Sequence, residues 1–257
     1  MRADAHYVEQ LGTRREQADR PETSRHQAGQ ADMTPSDSHG ERDRRSDRVM
    51  NQVSEELATI ASATTLAADA SPLARRLGLE LVRAQVWRAS WLLKASAIVD
   101  GRYRGGVQPT SIGAVAEQLR QGLTPECRLA GVTLQVQASD ANAVTTLDAA
   151  LVTAGMTGAV VATLGLMGET SGATIRVVLE AAGSDLRAIE VTQDLVSVPA
   201  AAGARFFDAA WTDRPGGWTA AMGALTVRST AQHLGGSAVF VPGDRRGSTV
   251  RMTARGH

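Results

Sequence analysis

Met50, Val53, Leu57, Ile60, Thr64 and Ala67 follow one another at alternating steps of three and four residues, which places all six on one stripe of an α-helix. That stripe is a heptad seam, and a chain that carries one must bury it against another helix. Ser71-Pro72 then reads as an N-cap followed by proline at the first helical position, where its missing N–H has no partner to lose. Leu73, Leu77, Leu81, Ala84, Trp87, Trp91, Ala95 and Ile98 continue the helical period, and Gly101 with Gly105-Gly106 supplies the stop. Two amphipathic helices on a short connection make an antiparallel hairpin over residues 48–104. A lone hairpin rarely buries its own seam, so a homodimer through residues 48–100, closing a four-helix bundle, is expected.

Residues 1–47 mix Arg, Asp, Glu, Gln, Ser and His without a sustained apolar period, so they predict a disordered polar tail. Arg42, Arg44, Arg45 and Arg48 suggest a nucleic-acid arm, but Glu41, Asp43 and Asp47 interleave with them and cancel the field, leaving a solvated lead-in to a helix. The whole chain is formally neutral and holds a single lysine, Lys94, which argues against a nucleic-acid partner. Cys127 stands alone, so a disulfide framework and a thiolate metal site within one chain are both excluded. No apolar run reaches spanning length without polar interruption, and Met1 to Arg20 lacks the apolar core of a signal peptide. A soluble, cytoplasmic protein with no membrane partner is the expectation.

Past the glycines the pattern changes. A helix is predicted from about Ser111 to Leu123, a strand over Val132–Ala138, and a long small-residue helix from roughly Ala143 to Met167. Strands at Thr174–Glu180 and Leu186–Gln193, a helix beginning near Ala201, a helix through Leu225–His233, and a hairpin of Ser237–Val241 with Ser248–Thr253 complete the chain. The class is α+β, a helical hairpin followed over residues 107–257 by an α/β sandwich with a helical layer on a mixed sheet.

Several stretches resemble the bacterial sensor histidine kinases of two-component systems. Ser54, Glu56, Leu57 and Thr59 match the family's dimerisation-helix motif, but Glu55 occupies the phosphoacceptor position and Ile60 stands where proline is usual. Arg205-Phe206-Phe207-Asp208 resembles the phenylalanine box, and the run from Gly217 to His233-Leu234-Gly235-Gly236 resembles the segment from the lid glycines into the helix that ends in His-Gly-Gly. The resemblance covers about residues 46–255 and implies a histidine-kinase-type sandwich behind a dimerising hairpin.

What the resemblance requires for chemistry is missing. Phosphate acceptance needs an imidazole nitrogen, and no histidine lies between His39 and His233. Glu55 could imitate a phosphorylated state by its fixed charge, though an exposed glutamate in a good helix is the simpler reading. The family's Mg²⁺-holding asparagine has no counterpart after Asn142, and Thr163 or a neighbour takes its place. Asp194 stands as a relic of the adenine-binding aspartate, but Leu195 to Val198 replace the two following glycines with bulky residues. Gly217 and Gly223 are what remain of the lid glycines. No cofactor and no metal are therefore expected, with room left only for weak ATP binding.

His233, Cys127 and the Trp87/Trp91 pair read as a structural histidine, a small buried hydrophobe and bundle core, respectively. The expected function is that of a pseudokinase, a histidine-kinase-like signalling protein that contacts a response regulator or sensor kinase without moving phosphate. The alternative resembles the bacterial histidine phosphotransferases, which relay phosphate to or from a response regulator. With Glu55 on the helix, its acceptors would have to be His6, His26 or His39, none placed on a rigid element by the sequence.

Overall fold

A computed structural model describes residues 35–68, 71–182, 185–208, 211 and 214–254. The tail expected before residue 35 lies outside them. Helix α1 spans Pro35–Ala68 and α2 spans Pro72–Val99, with the Ser71 hydroxyl accepting from the Ala74 N–H at 3.4 Å at the start of α2.

Two expectations for the hairpin need correction. Residues 35–47, read as part of the tail, are the first turns of α1. The interleaved charges that suggested a solvated lead-in instead bond along and across the helices: Arg45 reaches Glu41 one turn away and Asp100 at the far end of α2, each at 3.0 Å. The seam is also rotated by one residue. Val49, Val53, Glu56 and Ala63 are the buried positions of α1, whereas Met50 and Leu57 are 55% and 57% exposed. Leu79, Val86 and Leu93, spaced a heptad apart on α2, are exposed likewise.

The remainder is a two-layer α/β unit. Strand β1 (Gln108–Ser111) pairs antiparallel with β3 (Val144–Leu147) as a small separate ribbon. The main sheet has the order β2-β4-β5-β7-β6, with strands Thr133–Ala138, Thr174–Ala182, Asp185–Gln193, Ser248–Thr253 and Ala238–Pro242. β2 and β4 are parallel and the other neighbours antiparallel. Alternation along β4 sends Ile175, Val177 and Leu179 into the core. There they meet α3 (Ile112–Leu129), α4 (Ala149–Met167) and α6 (Gly217–His233), which cover one face of the sheet. The short α5 is Ala200–Ala204.

Neither β1 nor β3 is legible in the sequence, and α4 begins at Ala149 instead of near Ala143. The physical reason is the Asp148 carboxylate, which accepts from the Leu151 N–H at 2.9 Å and so starts the helix there. Residues 144–147, too few to show a period, are released to pair with β1. Helix α3 likewise runs past Leu123 to Leu129 with Pro125 inside it. α4 is the one helix among the described residues long and apolar enough to cross a membrane, and 72% of that stretch is buried within the protein. Its all-round apolarity is that of a helix enclosed by the sheet and its neighbours.

Candidate functional site

Glu55 sits on the exposed face of α1 and makes no ion pair among the described residues. Its neighbour Glu56 faces inward, 4% exposed. Gln52 donates to it at 3.0 Å and the Arg88 guanidinium of α2 lies 3.6 Å away. Arg88 also bonds Glu126 on α3, so one guanidinium joins three helices. Burial opposes the charge on Arg88, but Glu126 and Glu56 outweigh it and hold its pKa above the usual arginine value.

The sequence places the nucleotide relics on three elements, and each is otherwise engaged. Thr163 lies on α4 and is 1% exposed. The Asp194 carboxylate accepts from the Thr174 N–H at 2.9 Å, fastening the start of β4 to the end of β5. Between them Gln193, fully buried, ties the next turn to itself. Its amide donates to the Val196 carbonyl and Ser248 hydroxyl and accepts from the Leu195 and Val196 N–H groups. The backbone amides of Leu195 and Val196 are thereby spent inside the protein.

Gly217, at φ +60°, opens α6 beside the left-handed Gly216. Gly223, expected as a lid remnant, lies instead within α6 and is buried against α4. A Cβ there would meet the Gly158 carbonyl oxygen at 2.4 Å, and one on Gly158 would meet the Gly223 carbonyl oxygen at 2.7 Å. Gly165 and Ala220 continue this close approach two turns along α4 and about one along α6, where a Cβ on Gly165 would lie 2.6 Å from that of Ala220. The two helices therefore touch backbone to backbone.

In the stretch that resembles the phenylalanine box, one ring is packed inward. Phe206 is buried and stacks on Phe240 with ring centroids 4.4 Å apart. Arg214, 6% exposed, donates to the carbonyls of Phe206 at 2.6 Å and Ala220 at 3.1 Å and lies 4.8 Å from the Trp211 ring centroid. Burial lowers its pKa, and these carbonyls and rings replace water around the charge.

The hairpin is joined to the α/β unit directly. The Trp91 indole N–H donates to the Ala154 carbonyl of α4 at 3.0 Å, so Trp91 is core, as its helical stripe predicts. The Tyr103 hydroxyl bonds both oxygens of Asp148 at 3.0 and 3.1 Å, and Leu92 and Ile98 share one apolar cluster with Leu151 and Met222. Burial, with Asp148 adding to it, pushes the Tyr103 phenol up to about 12. Cys127 is buried, and its thiol is likewise pushed up to about 12, first by burial and then by Glu126. His233 is exposed at the end of α6, its Nδ1 2.8 Å from the Ser229 carbonyl. Cys127 is thus the small buried hydrophobe read from sequence. His39, expected off any rigid element, lies in the helical span of α1.

Glu56, Arg88, Glu126, Gln193 and Arg214 were not legible as site residues. Their partners are far away in sequence or are backbone carbonyls, and no spacing announces either.

No protein family matches the sequence, and none of the curated proteins matches it. In structure the chain is similar to bacterial histidine kinases and to a phosphotransferase. Full-length ShkA in complex with AMPPNP gives a TM-score of 0.49 at 14% identity, covering 84% of this chain and 47% of that one. A bacterial phosphotransferase gives 0.48 at 14%, covering 80% and 91%. The catalytic domain of histidine kinase ThkA gives 0.47 at 9%, covering 58% and 95%. With every TM-score below 0.5, the fold assignment rests on the helical hairpin and mixed sheet described above.

Proposed function

We propose that this chain is a histidine-kinase-like signalling module that works by protein contact and does not itself transfer phosphate. The observation that carries the reading is the Gly158–Gly223 contact, which holds α4, the helix on which the resemblance looks for a Mg²⁺-binding asparagine, backbone to backbone against α6. Glu55 on the exposed face of α1 supports it, since a carboxylate cannot form the labile phosphoramidate that an imidazole forms. The partner class is a response regulator or sensor kinase, met by a homodimer whose second copy covers Met50, Leu57, Val86 and Leu93.

Incubating the purified protein with labelled ATP and Mg²⁺ tests the reading, and covalent phosphate on the chain would overturn it. A thermal midpoint that saturating ATP leaves unchanged is the companion result expected.

The phosphotransferase reading has one observation in its favour, the helical backbone at His39. Acid-labile phosphate gained from a phosphorylated response regulator, and lost in His39→Ala, would replace the first reading with this one.

A further inference from the structure

The first turns of α2 and the end of α3 line an open groove of about 500 Å³. Arg75, Arg76 and Arg83 line it from α2, Arg128 lines it from α3, and Glu80 lies between them. Glu80, 9% exposed, is bonded by Arg128 and lies 3.8 Å from Arg76, so its one negative charge is already shared. Arg75 and Arg83 have no carboxylate partner among the described residues. Among the described residues that line it, four guanidiniums against one carboxylate leave a local excess of three positive charges.

Like charges gathered in one groove concentrate anions from solution. The forked guanidinium matches the oxygens of a phosphoryl group two at a time, which an ammonium cannot do. No aromatic ring lines the groove among the described residues, so recognition there is of charge.

We infer that this groove binds a compact polyanion carrying two or more phosphoryl groups, held by Arg75, Arg83 and Arg128. Because these residues come from α2 and α3, the bound anion ties the hairpin to the α/β unit.

Calorimetric titration of the full chain with pyrophosphate, tripolyphosphate and orthophosphate, at ionic strength fixed with sodium chloride, tests this. Pyrophosphate and tripolyphosphate should bind saturably at one per chain and more tightly than orthophosphate. The variant R75Q/R83Q should bind roughly tenfold more weakly or worse, equivalent to about 1.4 kcal/mol. R42Q/R187Q, which removes the same charge from two exposed positions elsewhere, should bind as the parent does. Circular dichroism checks the fold, and R83Q alone replaces the double variant if that one is unfolded. Absence of saturable heat, or equal weakening in both double variants, would overturn the assignment.

Discussion

Gly158 on α4 and Gly223 on α6 stand so close that a Cβ built on either would lie 2.7 or 2.4 Å from the other's carbonyl oxygen. Carbonyl oxygens of two packed helices cannot rotate away as a side chain can, so the helices themselves would have to part. Gly223→Ala should therefore destabilise the protein by about 1–3 kcal/mol through overpacking, although alanine favours an isolated helix by about 1 kcal/mol. Urea unfolding measures the difference. A variant as stable as the parent would mean that the helices have room to separate.

Arg88 holds Glu56 and Glu126 on two other helices. Removing it strands two largely buried carboxylates, so Arg88→Ala should cost about 3–5 kcal/mol. Adding Glu56→Gln and Glu126→Gln should recover much of that loss, because the neutral amides no longer need a counter-charge. Thermal midpoints of the single and triple variants decide it, and a triple variant no better than the single one would show that Arg88 acts by packing alone.

Stability should fall at alkaline pH. Folding raises the Cys127 thiol from 9.0 to about 12 and the Tyr103 phenol from 10.0 to about 12. A raised folded-state pKa contributes stability that is fully present below the unfolded value and is lost as pH rises through the folded one. The windows are thus pH 9 to 12 for Cys127 and 10 to 12 for Tyr103. With one lysine and two tyrosines in the whole chain, few other groups titrate there. In Cys127→Ala the loss between pH 9 and 10 should flatten, and in the folded parent a thiol reagent at pH 8 should find Cys127 unreactive. Rapid modification under native conditions would contradict both statements.

Leu57 is 57% exposed and Met50 55% exposed in the single chain. If a second copy covers them, Leu57→Glu with Met50→Glu should turn a dimer into a folded monomer, read by sedimentation. Each buried aliphatic side chain contributes about 1.5–3 kcal/mol, so two per subunit suffice to shift the equilibrium. A dimer that survives both changes would place the interface elsewhere.

The hairpin, the Ser71-Pro72 helix start, the Trp91 stripe and the strands of the main sheet were all legible in the sequence, because each is carried by contiguous residues whose period is local. The departures from the resembled pattern at Glu55, around Thr163 and at Leu195 to Val198 are likewise read from residue types alone. The rotation of α1 was not legible. A heptad pattern allows either Leu57 or Glu56 to face inward, and Arg88, 32 positions beyond Glu56, decided it by supplying a counter-charge. Residues 143–148 were claimed for α4 until the Asp148 cap set its start and the pairing with residues 108–111 drew the rest into a ribbon. Gly223 read as part of a loop that approaches phosphate, and only the crossing of α4 and α6 gave it a different duty. The sequence determined which elements form and which reactive groups are missing, through propensities that act within a few residues. The tertiary structure alone decided which faces meet, because that outcome depends on contacts between segments that the chain brings together only when folded.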